Sequence, residues 1–285
     1  MIPAPFAYAR PTTVEEALQA VADGGEDVKV LAGGQSLIPV MRLRLAAPET
    51  LVDLTRVPEL RGVREDGDSL VIGAMTTHAD VLTDPLLARY GRLLVQATAT
   101  VADRQVRRRG TFGGALAHAD PAGDLPAVAL ALDAEFVIAG PGGRRTVGAA
   151  DFFVDYLTTA LAEGELLVEV RLPKLGNDWG VRYEKFNRVA QAWSIVAVAA
   201  AVRREGGRIA EARIGLTNMG PTPLRARATE AALVGVDVSL ETVTAAAAQA
   251  AEGTSPSSDL NAQADYRQHL ATVLTRRAVA VAVGL

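Results

Sequence analysis

The chain of 285 residues contains no cysteine. Disulfides, thiolate zinc sites and iron–sulfur ligation by this chain all need a sulfur ligand, so each is excluded, and any such cluster must come from a partner. Histidine is scarce as well. His78, His118 and His269 are the only three, with no H-E-x-x-H pair and no G-x-S-x-G turn elsewhere, so zinc-hydrolase and serine-hydrolase chemistry find no frame. Aromatic residues make up 5% of the chain and the formal net charge is −4, whereas nucleic-acid binding needs clustered basic side chains with interleaved aromatics. The only dense basic run is Arg104 to Arg109. No stretch reaches the roughly 18 apolar residues of a membrane span, and the proline-broken start does not read as a secretory leader. The cytoplasm is the expected compartment.

What the chain has in quantity is apolar residues, 49%, enough for a large core and for two domains at this length. It also has two glycine pairs in telling places. Gly33-Gly34 follows the strand-like run Val28-Lys29-Val30-Leu31, and Gly113-Gly114 follows Thr111-Phe112. Such pairs are common in ordinary turns, but a backbone without Cβ atoms can also approach a ligand and offer it N–H donors. Gln35, Ser36 and Thr111 add side-chain donors, which suits a phosphate. Neither loop fits a Walker loop or a G-x-G-x-x-G turn, so a different nucleotide fold is required.

These loops, Ala32-Gly33-Gly34-Gln35-Ser36 and Thr111-Phe112-Gly113-Gly114, with Asp120-Pro121 and Asp124 downstream, resemble the two FAD-clasping motifs of the medium, flavin-binding subunit of molybdenum hydroxylases. That family includes aerobic carbon monoxide dehydrogenase and the xanthine dehydrogenases. Met1-Ile2-Pro3, Leu37-Ile38-Pro39, Ile72-Gly73-Ala74-Met75-Thr76-Thr77, Ile214-Gly215-Leu216-Thr217-Asn218 and Arg276-Arg277-Ala278-Val279 follow in the expected order, and the likeness is greatest to the carbon monoxide dehydrogenase group.

The resemblance implies an α+β fold: a PCMH/vanillyl-alcohol-oxidase-type FAD domain over residues 1–175, in lobes of about 1–55 and 56–175. A C-terminal domain over 178–285 would pack a three-stranded antiparallel sheet on helices. Lys29, Val30, Leu31, Ala32, Gly33, Gly34, Gln35 and Ser36, with Thr111, Phe112, Gly113, Gly114 and Ala115, would hold the FAD diphosphate and neighbouring hydroxyls. Asp124 would accept from cofactor hydroxyls, Leu167 and Lys185 would lie at the flavin ring, and Trp193 would face it. The implied function is electron relay, from a partner's [2Fe–2S] cluster through FAD to quinone, NAD or oxygen. A large molybdenum-cofactor chain and a small [2Fe–2S] chain are the expected partners, in a dimer of heterotrimers. A stand-alone FAD oxidase, or a scaffold without cofactor, are the competing readings.

Read locally, the same residues have plainer roles. Asp124 would cap a helix, Lys185 would be a surface lysine at a strand edge, Trp193 a core anchor, His78 a capping-region side chain, and Arg104 to Arg109 a solvated or docking face. Thr12 with Glu15 makes a capping box. Helices are expected over residues 36–45, 77–82, 85–95, 227–234, 240–251 and 265–283, the last with Tyr266, Leu270, Val273, Leu274 and Val281 on its core stripe. Hairpins are expected at Gly67-Asp68 and at Gly140 to Gly143, a strand at 166–172, and a meander of 179–186, 194–204 and 208–217.

Overall fold

The computed structural model describes residues 2–25 and 27–285; Met1, quoted in the opening motif, lies outside the described residues. The first sheet is parallel. Strands β1 (Ala7–Ala9), β2 (Val28–Leu31) and β3 (Thr50–Asp53) lie in the order β1-β3-β2. Helix Val14–Asp23 joins the first two and buries Val14, Ala17 and Val21 on them. The cap sits one residue later than expected and does not close a box: Thr13 accepts from the Glu16 N–H, while the Glu16 carboxylate accepts from the N–H and hydroxyl of Thr12 rather than from the Thr13 N–H. Glu16, not Glu15, is three residues from the true cap, so only it can reach back.

The second sheet is antiparallel, built from β4 (Val63–Asp66), β5 (Ser69–Gly73), β6 (Glu135–Gly140) and β7 (Gly143–Gly148) with a later strand. A small ribbon of β8 (Phe153–Asp155) and β9 (Thr158–Thr159) precedes that strand, β10 (Leu166–Pro173), which enters the middle of the sheet to give the order β4-β5-β10-β6-β7. Six short helices fill the gap between β5 and β6. The helix expected over 85–95 is broken there into Pro85–Tyr90 and Arg92–Ala99. Gly91 closes the first on the Leu87 carbonyl, at a place where a Cβ would lie 2.8 Å from the Leu87 side chain.

The third sheet is the expected meander, β11 (Trp179–Phe186), β12 (Val196–Glu205) and β13 (Arg208–Thr217), extended by a two-residue edge strand, β14 (Leu224–Arg225). Alternation along β12 decides what packs where. Ala197, Ala199 and Ala201 face the core shared with the second sheet, whereas Val198, Ala200 and Val202 face the C-terminal helices. Small residues on the first face let helix Asp124–Ala131 lie close, and a Cβ on Gly215 would fall 2.2 Å from the Ala127 carbonyl oxygen. One core therefore runs across residues 175–178, the break in the chain where the sequence suggests a boundary.

The last helix, Ala264–Ala282, buries Leu270 and Leu274 of the expected stripe but not its ends. Arg267, Leu270, Ala271, Leu274, Ala278 and Val279 turn inward while Tyr266 and Val281 are exposed. Arg267 rotates the helix, because its guanidinium reaches the Ile195 carbonyl and Asp259. Among the described residues no helix is long and apolar enough to cross a membrane.

Candidate cofactor site

The first glycine loop leaves β2 at Ala32 and turns at Gly34, whose φ of +74° is a conformation that glycine adopts without strain. Among the described residues, the main-chain N–H groups of Gly33, Gly34, Gln35 and Ser36 donate to no acceptor of the protein. Four consecutive unpaired donors form a concave nest for an anion. The helix that follows, Leu37–Arg42, is only six residues long, ending where Arg44 turns to φ +58° rather than at Leu45. The loop amides, rather than a helix dipole, supply the positive potential.

The second loop behaves differently. Its N–H groups are used internally: Phe112 donates to the Thr76 carbonyl, Gly113 to Ala74, Ala115 to Thr111, and Gly114 to the Thr111 hydroxyl, which caps helix Phe112–His118. The Phe112 ring is fully buried in the core. Glycine is required here for packing. A Cβ on Gly113 would lie 2.7 Å from the Ala74 carbonyl oxygen, and one on Gly33 would lie 2.4 Å from the Arg109 carbonyl oxygen and 2.6 Å from the Gly110 Cα. The position of a Cβ on Gly114 is 3.2 Å from the Ala32 Cβ. The two loops thus converge in space, as the sequence suggests, but the second buttresses the first instead of adding a second set of free amides.

Between them lies a cavity of about 110 Å³ lined by Val30, Ala32, Leu54, Ala74, Met75, Gly113, Gly114, Leu166 and Leu167 among others. Its lining is mostly apolar, with Glu165 as the one charged residue. Lys29 points outward from β2, and Gln35 folds its amide onto the Gly33 carbonyl at 3.2 Å. Ser36 makes no side-chain capping bond and Ala115 is half-buried.

A second cluster forms around Asp124. Its carboxylate accepts from the Tyr183 hydroxyl at 2.6 Å, the Lys185 Nζ at 2.8 Å and the Ser194 hydroxyl at 2.7 Å. The capping residue of its helix is Gly123, so Asp124 is the first helical residue and turns toward the third sheet instead of capping. Lys185 is not a surface lysine: its side chain is 6% exposed and that of Asp124 is 5%. Burial, followed by the adjacent Asp124 charge, pushes the Tyr183 phenol well above its ordinary range. Sequence reading missed Tyr183 and Ser194. The two-residue period that puts Tyr183 and Lys185 on one strand face was visible, but not the carboxylate they share.

Trp193 stands 56% exposed at the mouth of a larger cavity, of about 560 Å³, where Asp120, Pro121, Ser194, Ile195 and Asn218 are also found. It is not a core anchor. Arg107 is a latch rather than a docking residue, donating to the carbonyls of Val101 and Ala102, while Arg104, Arg108 and Arg109 are exposed. Among the described residues no group of His, Asp and Glu could hold a metal ion.

His78 lies directly behind the second loop, 4% exposed, its main-chain N–H donating to the Gly110 carbonyl and its ring Nδ1 without a partner among the described residues. Burial, and then the nearby Arg107 charge, lower it from 6.5 to about 4, so the ring is neutral at pH 7. The unfolded chain takes up this proton near pH 6.5 and the folded one only near 4. Stability from this group is therefore complete above pH 6.5 and falls as the pH drops toward 4, by about 3 kcal/mol in all. Urea denaturation at pH 7 and pH 4.5 should show that loss in the wild type and a flatter dependence in His78→Leu.

Residues 4–175 match the model of the FAD binding domain in molybdopterin dehydrogenase, and residues 181–282 match that of the CO dehydrogenase flavoprotein C-terminal domain. The chain is 43% identical over 279 residues to the carbon monoxide dehydrogenase medium chain of Hydrogenophaga pseudoflava, covering 98% of this chain and 97% of that one. It is 36% identical to the 6-hydroxypseudooxynicotine dehydrogenase complex subunit alpha of Paenarthrobacter nicotinovorans, covering 99% and 96%. A solved structure of the Hydrogenophaga pseudoflava carbon monoxide dehydrogenase, in a form lacking the Mo-pyranopterin moiety, superposes with a TM-score of 0.96 at 45% identity over 99% of this chain and 98% of that one.

Proposed function

Since the chain belongs to the FAD-binding medium-subunit family of the molybdenum hydroxylases, we propose that it takes electrons from a partner's [2Fe–2S] cluster and passes them to an external acceptor such as a quinone, NAD or oxygen. It is an FAD-binding oxidoreductase subunit. The observation that carries the site assignment is the run of four unpaired amides at Gly33 to Ser36, which matches a diphosphate in charge and donor count. When bound, FAD supplies a carrier that can be filled and emptied one electron at a time.

The chain's own residues then have distinct tasks. Gly33, Gly34, Gln35 and Ser36 hold the diphosphate, and Thr111 to Ala115 hold that loop in shape. Val30, Ala32 and Leu167 line the small apolar cavity beside the diphosphate, Leu31 packs against Gly34, and Lys29 stands at the outer edge of the strand. Asp124, with three of its lone-pair sites already used, keeps one on Oδ2 for a cofactor hydroxyl. Lys185, neutralised by Asp124, acts as an oriented donor more than as a free cation. Trp193 covers the flavin ring from the larger cavity.

On this reading residues 1–175 form the FAD unit, with lobes of about 1–55 and 56–175, and residues 178–285 form the C-terminal unit; the spans of the two family matches support the division. A large molybdenum-cofactor chain and a small [2Fe–2S] chain complete the complex as a dimer of heterotrimers, carbon monoxide dehydrogenase-like in kind. The lack of any cysteine supports assigning the cluster to another chain.

Calorimetric titration of the purified chain tests the site. FAD should bind one to one, and riboflavin, which lacks both phosphates, should bind about 100-fold more weakly or worse, as expected for losing two or more charge-assisted hydrogen bonds. Equal affinities would remove the diphosphate assignment. The relay is tested separately: the bound FAD should be bleached by a reduced [2Fe–2S] partner, and bleaching by a small organic substrate without partner chains would favour a stand-alone oxidase.

A further inference from the structure

The larger cavity has a wall whose construction the cofactor reading leaves unused. Trp193 ends the segment 187–193, and the two residues after it are tightly held. The Ser194 carbonyl accepts from the Asn218 side-chain amide at 2.8 Å, and the Ile195 carbonyl accepts from the same nitrogen at 3.2 Å and from buried Arg267. The Ile195 N–H donates to the Phe186 carbonyl at 2.8 Å. Asn218 is itself anchored: its N–H donates to the Pro121 carbonyl at 2.8 Å, across the same cavity. Its φ is +62°, a left-handed conformation that asparagine tolerates better than most side chains. One amide therefore grips two successive carbonyls while its own backbone is fixed to Pro121.

We propose that Asn218 is a positioning residue whose amide sets where the Trp193 indole stands relative to the flavin ring. The proposal rests on the reading that this cavity receives that ring. The geometry favours the role because Ser194 is tied sideways to Asp124 and Arg267 reaches the Ile195 carbonyl alone, whereas among the described residues only Asn218 holds both carbonyls that follow the tryptophan. An indole in contact with a flavin quenches its emission by electron transfer, and the effect fades steeply with separation. Tyr156 lines the same cavity and its phenol quenches in the same way, so every chain compared carries Tyr156→Phe, and the emission of the bound cofactor then reports the placement of Trp193.

The test uses the full chain loaded with FAD, and compares the Tyr156→Phe parent with the same parent carrying Asn218→Gly, Asn218→Asp or Trp193→Phe. Glycine keeps the left-handed backbone but removes the amide, and aspartate replaces the donor with an acceptor facing two carbonyls. Both Asn218 variants should retain FAD at the parent's ratio while their flavin emission rises several-fold, toward that of Trp193→Phe. If Trp193→Phe is bright and Asn218→Gly is as dim as the parent, the positioning role is wrong and the ring placement stands. If Trp193→Phe is itself as dim as the parent, the ring placement fails. Loss of FAD by both Asn218 variants in proportion to their loss of melting temperature would make the residue merely structural and overturn the proposal.

Discussion

Asp124→Ala should lower the unfolding free energy by about 3–5 kcal/mol, because it leaves the Lys185 ammonium buried with no counter-charge. The 2.8 Å pair is enclosed, with both side chains 6% exposed or less, and among the described residues the Thr100 carbonyl at 3.3 Å is the only other acceptor Lys185 keeps. The same truncation strips the Tyr183 and Ser194 hydroxyls of their acceptor. All three donors belong to the third sheet or its approach, whereas Asp124 opens the helix that lies on that sheet, so the loss should loosen the contact between them. Chemical denaturation checks the magnitude, and a double-mutant cycle checks the cause. Asp124→Asn with Lys185→Met should cost clearly less than the sum of the single changes, since the stranded charge is gone. Additive costs would mean that the pair is not coupled.

Gly33→Ala should abolish measurable FAD binding while leaving most of the fold in place. The added methyl carbon would sit 2.4 Å from the Arg109 carbonyl oxygen and 2.6 Å from the Gly110 Cα. Both are main-chain atoms, which cannot swing aside as a side chain can, so the two loops must part. Overpacking of this kind costs about 1–3 kcal/mol. Separation also dismantles the nest of amides at Gly33 to Ser36, and binding should suffer more than stability. Gly142→Ala is the control, a turn glycine with nothing within 4 Å and no positive φ, and it should bind FAD as the wild type does. Wild-type affinity in Gly33→Ala would show that the buttress is irrelevant to the site.

Much of the architecture was legible because it rests on local signals. Gly67-Asp68 and Gly140 to Gly143 mark their hairpins through turn chemistry, and Gly206-Gly207 marks the turn of the meander between β12 and β13. Less was legible where a choice between neighbours depends on contacts elsewhere. Thr12 and Thr13 are both acceptable caps by composition, and Tyr266 and Arg267 both fit an amphipathic helix; the Ile195 carbonyl, from another segment, decides that arginine goes inside. Gly91 reads as a tolerable helix glycine until Leu87 is seen beneath it.

The amino-acid sequence by itself determined where the main strands and hairpins fall along the chain, the places where the chain turns without side-chain bulk, and the absence of sulfur ligands, all of which are written within a few neighbouring residues. Only the tertiary structure decided which of the two glycine loops keeps its amides free and which spends them on its own support. Likewise it alone revealed that Lys185 is matched by a carboxylate 61 positions away. Hydrogen-bond donors and charges are satisfied by whatever the fold brings within about 3 Å, and that is a property of distant segments meeting, not of the residues beside them.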